Sequence, residues 1–443
     1  MKPSITVSAV SFSLVAAILL QHLSAAEPLT LSNHGQRSTW FGENSEAAFD
    51  LYRWLHQHPE VSLYETETAA KLAEQWSAVG LTVTTEVGGT GLVGLLKNGD
   101  GPVVMLRTDL DALPVEEATG LDYASKNPGV MHACGHDIHM TTVTTVARYL
   151  ATHLDQWSGT LMLIGQPAEE RGLGAVAMLK DGLLKRFPRP DYGLAVHVDG
   201  SVPTGSVVIA GGAVGASADS VDITVKGRGG HGSAPHTTID PVVQAADLIM
   251  SLQTIVSREV KPTNAAVVTV GSIVGGTKHN IISDQCKLQL TVRSHSEEVR
   301  QQLIDAIRRR AKGIAIAYGA PEPVVIESEG VPALANDEAL ADRLGSLFRR
   351  LLGADHVQAK ERSMGFEDFS QFGNAGIPIT MFGVGSVSQE RLDQYRKQGG
   401  IPSLHSATYY PDAEDTLRTA FQMLTAAALD LFENDPLADR ANP

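Results

Sequence analysis

The chain has 443 residues but only two cysteines, Cys134 and Cys286. A framework of several disulfides, typical of small secreted domains, is therefore not expected. A single Cys134–Cys286 disulfide is an alternative in an oxidising compartment, but it would remove the thiolate that Cys134 otherwise offers. We expect Cys286 to be a core residue of a strand, because it lies in the alternating stretch 285–290.

Positive charge is also scarce, with 35 Lys and Arg residues against 50 Asp and Glu residues and a formal net charge of −15. Nucleic acids and anionic membrane surfaces attract basic proteins, so neither is an expected partner. No internal repeat or low-complexity tract is present outside the first 26 residues. The length is sufficient for two domains and a large hydrophobic core.

The N-terminal segment carries the pattern of a secretory signal peptide. Lys2 supplies a positive charge, residues 10–20 are mostly apolar, and residues 24–26 are small. The apolar run is too short to span a membrane comfortably. We expect cleavage near Ala26 and a periplasmic or secreted protein that makes no membrane contact afterwards. An uncleaved anchor is the alternative.

Two motifs bring together side chains that bind metals. "MHACGHD" (131–137) contains Cys134 and His136, and "GQPAEE" (165–170) ends in Glu169 and Glu170. Thiolate, imidazole and carboxylate are ligands that zinc accepts. The two glutamates follow an apolar run, 160–164, that predicts a buried strand, and neighbouring side chains of an extended segment point apart. One glutamate can therefore bind metal while the other acts as acid and base on a metal-activated water, which indicates a hydrolase.

Two further histidines extend the set of candidate ligands. His197 lies in a short apolar stretch, 192–198, and His405 lies in "LHS" (404–406). With Cys134, His136 and Glu170 they give five donors, more than one tetrahedral ion needs when a position is left for water. Two divalent ions that share a bridging ligand fit this number better. A thiolate such as that of Cys134 can form such a bridge.

The motifs given above and five more, eight in all, follow one another in the order typical of the M-twenty family of di-metal amidohydrolases and metallopeptidases, which the chain therefore resembles. The similarity is greatest to the branch of hippurate hydrolases, aminoacylases and auxin-amino-acid amidohydrolases, and it covers nearly the whole mature chain. The resemblance implies that Cys134 bridges two metals, that the other four donors are terminal ligands, and that Glu169 is the general base. The remaining motifs are "LRTDLDALP" (106–114), "AVHV" (195–198), "GRGGHGSAPH" (227–236), "HNIISD" (279–284) and "GFEDFS" (365–370).

The resemblance also suggests roles for residues outside the ligand set. Asp109 would support a metal ligand by orienting an imidazole. His231 would reach the site of a neighbouring subunit and stabilise the oxyanion, and Asn280 would donate a hydrogen bond to substrate. Arg293 would either hold a substrate carboxylate or form a salt bridge within the second domain. The branch usually has proline at positions 283 and 407 and often serine at 366, where this chain has Ser283, Ala407 and Phe366.

The order of periodic segments predicts an α/β protein with a mostly parallel sheet. We expect a signal peptide at 1–26, a catalytic domain formed by 27–212 and 329–443, and an inserted ferredoxin-like α+β lid and dimerisation domain at 213–328. In the catalytic domain, the predicted helices are 43–58, 65–79 and 137–150, and the first predicted strands are 81–87, 92–97 and 103–108. In the insertion, the predicted elements are 220–226, 241–258, 266–273, 287–293, 297–317 and 323–327.

The function that we expect from the sequence is hydrolysis of the amide bond of N-acyl amino acids or small peptide-like substrates. A carboxypeptidase or dipeptidase of the same family is the alternative. Zinc is the favoured metal, with manganese or cobalt as alternatives, and a homodimer or higher homo-oligomer is expected through the lid. Rivals of other classes are a thiol hydrolase with Cys134 as nucleophile and an inactive protein that binds metal or acyl peptides.

Overall fold

The computed structural model describes residues 33–433. The predicted signal peptide lies outside these residues. Within them, no helix is both long enough and apolar enough to cross a membrane. The structure contains two large sheets, one of eight strands and one of four.

The eight-stranded sheet is mixed, with a parallel centre, and has the strand order β1-β2-β4-β3-β5-β16-β6-β15. The pairs β3–β4, β3–β5, β5–β16 and β6–β15 are parallel, whereas β1–β2, β2–β4 and β6–β16 are antiparallel. This agrees with the predicted α/β class. The strands are β1 (Thr82–Thr84), β2 (Leu92–Asn98), β3 (Val103–Asp109), β4 (Gly159–Gln166), β5 (Tyr192–Pro203), β6 (Val207–Val208), β15 (Val357–Gln358) and β16 (Ile379–Val387).

Helices cover this sheet and close its hydrophobic cores. Residues such as Leu106, Val143, Leu194 and Phe421 form one buried cluster, and Met105, Ile164 and Phe372 belong to another. The helices are α1 (His34–Gln57), α2 (Thr66–Ala78), α3 (His136–Thr152), α4 (Gly174–Lys180), α5 (Leu183–Arg186), α8 (Glu338–Leu352), α9 (Ser370–Asn374), α10 (Gln389–Gln398) and α11 (Ala413–Glu433).

The four-stranded sheet is antiparallel and has the order β10-β12-β8-β13. Its elements follow one another as strand, helix, strand, strand, helix, strand, which is the ferredoxin-like order. A separate hydrophobic cluster that includes Ile223, Leu252 and Leu303 lies between this sheet and its helices. The elements are β8 (Ala218–Lys226), α6 (Pro241–Arg258), β10 (Ala266–Gly275), β12 (Gln285–Ser294), α7 (Glu297–Ala317) and β13 (Val324–Val331).

Two short ladders accompany these sheets. The strands β7 (Gly212–Ala213) and β14 (Ala335–Asn336) pair antiparallel where the chain leaves for the four-stranded sheet and where it returns. The strands β9 (Gly230–His231) and β11 (Ile281–Ile282) form a two-stranded ribbon. The predicted boundaries 213 and 328 of a separate lid domain remain a prediction.

Some local predictions were wrong. The strand predicted for 81–87 ends at Thr84, because Glu86 and Gly88 adopt positive φ angles of 59° and 70° and turn the chain. The helix predicted to begin at residue 43 begins at His34. Its additional turns are stabilised by tertiary packing, since Trp40 stacks on Phe421 with ring centroids 5.4 Å apart.

Candidate active site

Cys134 and His136 lie at the start of helix α3, separated by Gly135. Gly135 has a φ of 78°, and a Cβ atom there would lie 2.6 Å from Cγ2 of Val198. Only glycine fits this turn without strain. The turn therefore places the thiol and the imidazole beside strand β5, which carries His197.

Hydrogen bonds fix the tautomers of two histidines. Nδ1 of His136 lies 2.7 Å from the carbonyl oxygen of Asp111, and Nδ1 of His197 lies 2.8 Å from that of Val198. A carbonyl oxygen only accepts, so each Nδ1 carries a proton, and Nε2 is the nitrogen with a lone pair when the ring is neutral. This is the form of imidazole that binds a metal through Nε2.

Glu169 and Glu170 lie in a single 3₁₀ turn, Glu169–Arg171, so the extended segment predicted for them was wrong. The turn begins after Ala168, whose φ is 48°. The backbone N–H groups of both glutamates donate to the carboxylate of Asp111 at 3.1 and 3.0 Å. Asp111 therefore positions both this turn and His136, a role that the sequence did not reveal.

The five predicted ligands lie close together. Sγ of Cys134 lies 3.6 Å from Nε2 of His197. Oε1 of Glu170 lies 3.8 Å from Nε2 of His136 and 3.4 Å from Nε2 of His405. Each of three overlapping groups has its donor atoms within 4.8 Å of one another: Cys134 with His136 and His197, Cys134 with Glu170 and His405, and His136 with Glu169 and Glu170.

Two buried atoms in this set make no hydrogen bond to any residue of 33–433, namely Nε2 of His136 and Oε1 of Glu170. Such atoms are costly when they have no partner. They face one another among thiol, imidazole and carboxylate donors, the set that zinc and similar cations accept. The residues present therefore fit the implied divalent ions.

His405 approaches from a separate loop. Its backbone has a φ of 68°, outside the range usual for a residue with a side chain, and its N–H donates to the carbonyl of Ala133 at 2.9 Å. The Cys134 thiol and the Glu170 carboxylate beside its ring raise the pKa of His405 to about 10. Burial raises the pKa of Cys134 above its usual range. Metal binding to these two groups must therefore release protons.

Glu169 has a different environment from Glu170. It is buried, and a carboxylate oxygen of Glu169 lies within 4.8 Å of those of Glu367 and Asp368. Burial and these two neighbouring carboxylates raise the pKa of Glu169 well above its usual range. A carboxylate of raised pKa is a better proton acceptor. Glu367 and Asp368 belong to the "GFEDFS" motif, but the sequence alone gave them no role.

Arg107 balances this acidic cluster from within the core. Its guanidinium contacts Asp109 at 2.8 Å, Glu367 at 2.9 Å and Asp368 at 3.2 Å. Asp109 also accepts a hydrogen bond of 2.8 Å from Nδ1 of His139. It lies 3.6 Å from Nε2 of His136, so the imidazole that it orients directly is that of His139. Its predicted support of a metal ligand stays a prediction.

A cavity of about 1050 Å³ opens on this group. Its wall includes Cys134, Glu169, Glu170, His197 and His405, together with Arg293 from strand β12 and Lys360. The guanidinium of Arg293 lies over the ring of Phe366, which also lines the cavity, at 5.4 Å.

His231 and Asn280 do not line the cavity within the chain. They are exposed and lie together at the β9–β11 ribbon, where His231 pairs with Ile281 and the N–H of Gly232 donates to the carbonyl of Asn280. Their predicted roles are therefore not tested by this arrangement. The alternative Cys134–Cys286 disulfide is absent, since both cysteines are free and buried.

The mixed sheet with its parallel centre, the cavity and the cluster of thiol, imidazole and carboxylate side chains beside a buried carboxylate are typical of metal-dependent hydrolases. Residues 105–428 match the model of peptidase family M20/M25/M40. The hippurate hydrolase of Campylobacter jejuni is 40% identical over 323 residues, which cover 72% of this chain and 82% of that protein. Thermostable carboxypeptidase 1 of Saccharolobus solfataricus is 36% identical over 372 residues, 83% of this chain and 91% of that protein.

A solved structure supports the same assignment. The YXEP protein of Bacillus subtilis, described as a dinuclear metal binding peptidase from the M20 family, superposes with a TM-score of 0.74 and 30% identity. The superposition covers 90% of this chain and 99% of that one. The chain belongs to peptidase family M20/M25/M40. It is a metal-dependent amidohydrolase or peptidase that acts on C–N amide bonds, in a family with dinuclear metal binding.

Proposed function

We propose that the protein hydrolyses the amide bond of N-acyl amino acids. The observation that carries this proposal is the proximity of a cluster of thiol, imidazole and carboxylate donors to the buried carboxylate of Glu169 at the wall of one cavity. The relatives named above include a hippurate hydrolase, whose name denotes cleavage of an N-acyl amino acid.

In this proposal two divalent ions would be held by Cys134, His136, Glu170, His197 and His405, and Cys134 would be the ligand common to both. When bound, the ions lower the pKa of a water molecule and polarise the amide carbonyl. Glu169 lies beside the ligands without being needed as one. Its carboxylate accepts the proton of the attacking water and afterwards delivers a proton to the leaving amine.

The amino-acid carboxylate of the substrate is assigned to Arg293. Its guanidinium lines the cavity and presents the planar donor geometry that matches a carboxylate. The oxyanion is assigned to His231 of a neighbouring copy, because His231 does not line the cavity of its own chain. Asn280 lies beside His231 and would enter the site together with it.

The test is hydrolysis of a panel of N-acyl amino acids by the purified protein, with zinc, manganese or cobalt added in turn. Dipeptides and longer peptides in the same panel distinguish an acyl-amino-acid hydrolase from the carboxypeptidase or dipeptidase alternative. We expect turnover of N-acyl amino acids that is lost on chelation and restored by metal. Absence of turnover with every substrate and metal would refute the proposal and favour an inactive binding protein.

Chelation also separates the proposal from a thiol hydrolase. A thiol enzyme survives chelation and is inactivated by alkylating agents. The raised pKa of the buried Cys134 keeps it in the thiol form without metal, which is unfavourable for a nucleophile.

We further propose that the protein is exported and that its four-stranded sheet mediates self-association. Export rests on the N-terminal sequence pattern and predicts a mature N-terminus near Glu27, which mass spectrometry of the natural protein would reveal. Self-association rests on the expected role of His231 in trans. Analytical ultracentrifugation of the mature chain would detect a dimer or a higher oligomer.

A further inference from the structure

Lys360 holds a position in the cavity that the proposed chemistry does not use. It lies two residues after the end of β15, at the edge of the eight-stranded sheet, and its backbone N–H donates to the carbonyl of Ile209 at 3.3 Å. Its side chain reaches inwards across β6. A Cβ atom at Gly383 in β16 would lie 3.7 Å from Nζ of Lys360 and 3.8 Å from the carbonyl oxygen of His197. The ammonium therefore lies beside β16, the strand that pairs with the His197-bearing strand β5.

The glycine at position 383 makes this placement available. Gly383 lies opposite His197 on β5 and opposite Val208 on β6. The side chain of Val208 already fills part of the space, with Cγ2 only 2.6 Å from where a Cβ would be. Any larger residue would displace Val208 and narrow the approach to the Lys360 ammonium.

Nζ of Lys360 makes no hydrogen bond and no ion pair with any residue of 33–433. The side chain is partly buried at the cavity wall, so its ammonium has less contact with water than that of an exposed lysine. Burial lowers the pKa of Lys360, while Asp199 and Glu367 act in the opposite direction. Both carboxylates are engaged elsewhere, Asp199 with the hydroxyl of Ser201 at 2.6 Å and Glu367 with Arg107 at 2.9 Å. The cavity wall thus contains an ammonium group, that of Lys360, to which an anionic group of a ligand can bind.

The cavity contains a second cation at a different place. Arg293 belongs to the four-stranded sheet and stacks on Phe366, whereas Lys360 extends from the edge of the eight-stranded sheet. A substrate with a single carboxylate can bind to only one of these two cations. Glu361, which is exposed at the cavity wall, is too close to solvent to neutralise a partly buried ammonium strongly.

We propose that Lys360 binds a second carboxylate of the substrate, so that the preferred substrates are N-acyl amino acids with two carboxylates. This inference rests on the proposed function and specifies its substrate class. The second carboxylate belongs to the amino-acid side chain or to the acyl chain. Both sources share the same recognition chemistry, a charge-assisted hydrogen bond from an ammonium.

The test compares matched substrates with three variants. The substrate pairs are N-acetylglutamate with N-acetylglutamine and N-succinyl-leucine with N-butanoyl-leucine, each pair differing in one carboxylate. Lys360→Met removes the ammonium and Lys360→Arg keeps a positive charge. Arg362→Met is the control, because Arg362 is an exposed cation two residues away that does not line the cavity.

We expect the wild-type protein to prefer the dicarboxylic member of one pair. Lys360→Met should raise KM for that member by about 10- to 100-fold, the value of a hydrogen bond to a charged group. KM for the neutral member and kcat for both should change by less than about twofold, within the usual effect of a surface substitution. Lys360→Arg should recover part of the preference, and Arg362→Met should leave it intact. The pair that responds identifies the position of the carboxylate.

Absence of a preference in both pairs, or an equal loss on both members of a pair, would overturn the proposal. A structural role is separated by thermal unfolding, because removal of an unpaired ammonium should leave Tm unchanged or raise it. Calorimetric titration of the metal-loaded protein with glutamate, glutarate and glutamine provides a readout without turnover. If no amide is hydrolysed at all, the proposed function fails, and the difference in binding between wild type and Lys360→Met still decides the role of Lys360.

Discussion

Glu169 and Glu170 are adjacent in one 3₁₀ turn, yet they face different neighbours. Oε1 of Glu170 lies 3.8 Å from Nε2 of His136 and 3.4 Å from Nε2 of His405. Glu169 also lies within 4.8 Å of His136, but it has the Glu367–Asp368 pair within the same distance. Glu169→Gln keeps the size of the side chain but cannot accept the proton of water. We expect it to bind metal normally and to lose turnover by about 10²- to 10⁴-fold, the usual contribution of a general base. Metal analysis and steady-state kinetics measure both quantities.

Glu170→Gln is the matched variant, since it makes the same chemical change one position along. It should lose metal affinity, and its activity should partly recover with excess metal, because an anionic ligand has been replaced by a neutral one. Loss of metal in Glu169→Gln together with retained metal in inactive Glu170→Gln would show that the roles are exchanged. Full activity in both variants would contradict the mechanism.

Cys134 lies between the two groups of donors, near His197 on one side and near Glu170 and His405 on the other. Cys134→Ser removes the thiolate and leaves a hydroxyl, which is a much weaker ligand for a borderline cation. We expect the metal content to fall from about two ions per chain and the activity to fall with it, as for a two-metal site. Elemental analysis after gel filtration gives the metal content. A variant with full metal and full activity would exclude a bridging thiolate.

The sequence pointed to the proposed metal donors more readily than to the residues around them. Cys134, His136, Glu170, His197 and His405 are recognisable because thiol, imidazole and carboxylate groups sit in short motifs. The neighbours of Asp111, Glu367 and Lys360 are distant in sequence, so they depend on how separate strands pack together. No sequence motif marks Lys360 as a residue of the cavity. Its position depends on an edge strand of only two residues and on the space left by Gly383, which has no side chain.

At the scale of elements, one buried histidine links two helices that pack on the eight-stranded sheet. His56 near the end of α1 lies 2.7 Å from Asp137 in the first turn of α3 and 3.3 Å from Glu117. Burial alone would lower the pKa of His56, but the hydrogen bonds to Asp137 and Glu117 raise it to about 9 from 6.5. The folded state therefore binds a proton between these pH values that the unfolded state releases.

The resulting stabilisation is complete below about pH 6.5 and is lost as the pH rises through about 9, to an extent of roughly 3 kcal/mol. We expect the unfolding free energy of the wild-type protein to decrease over this interval. His56→Asn should be less stable at pH 6 and should show a smaller decrease. Urea unfolding of both proteins at fixed metal concentration measures the difference. Parallel pH profiles would contradict this account.

Helix boundaries were predictable where the chain carries visible caps. Asp240 accepts hydrogen bonds from Val242 and Val243 before Pro241–Arg258, and Ser296 accepts one from Val299 before Glu297–Ala317. Both helices have the predicted bounds, because these signals are local. The start of α1 has no such cap, and its first turns depend on Trp40 packing against α11. Tertiary contacts of this kind leave no trace in the local sequence.

At the scale of the whole molecule, His231 does not line the cavity of its own chain, and we predict that it completes the site of a neighbouring subunit. Glu169→Gln and His231→Ala proteins should each be inactive. If His231 acts in trans, a hybrid dimer contains one intact site, formed by Glu169 of one subunit and His231 of the other. Equal mixing with free exchange should then restore about a quarter of the wild-type activity, given a twofold-symmetric dimer.

The control is a mixture of Glu169→Gln with Glu170→Gln, in which both defects belong to the same site of a chain. No hybrid of these two proteins contains an intact site, so activity should stay at the level of the single variants. Subunit exchange is monitored by fluorescence transfer between labelled chains. Exchange without recovery in the His231→Ala mixture would place His231 outside the site of its partner.

The pairing of β7 with β14 brings the two ends of the inserted stretch close together. Gly212 lies opposite Asn336, and further along Ala218 lies opposite Val331, so the chain departs and returns about one strand spacing apart, roughly 5 Å. A two-residue turn could close that gap as a hairpin. The residues between Ala218 and Val331 therefore form an insertion whose two ends are neighbours in space. Such an insertion adds little loop-closure entropy to the folding of the rest of the chain. The fold therefore permits exchange of this stretch, together with His231 and Asn280, without a change in the eight-stranded sheet.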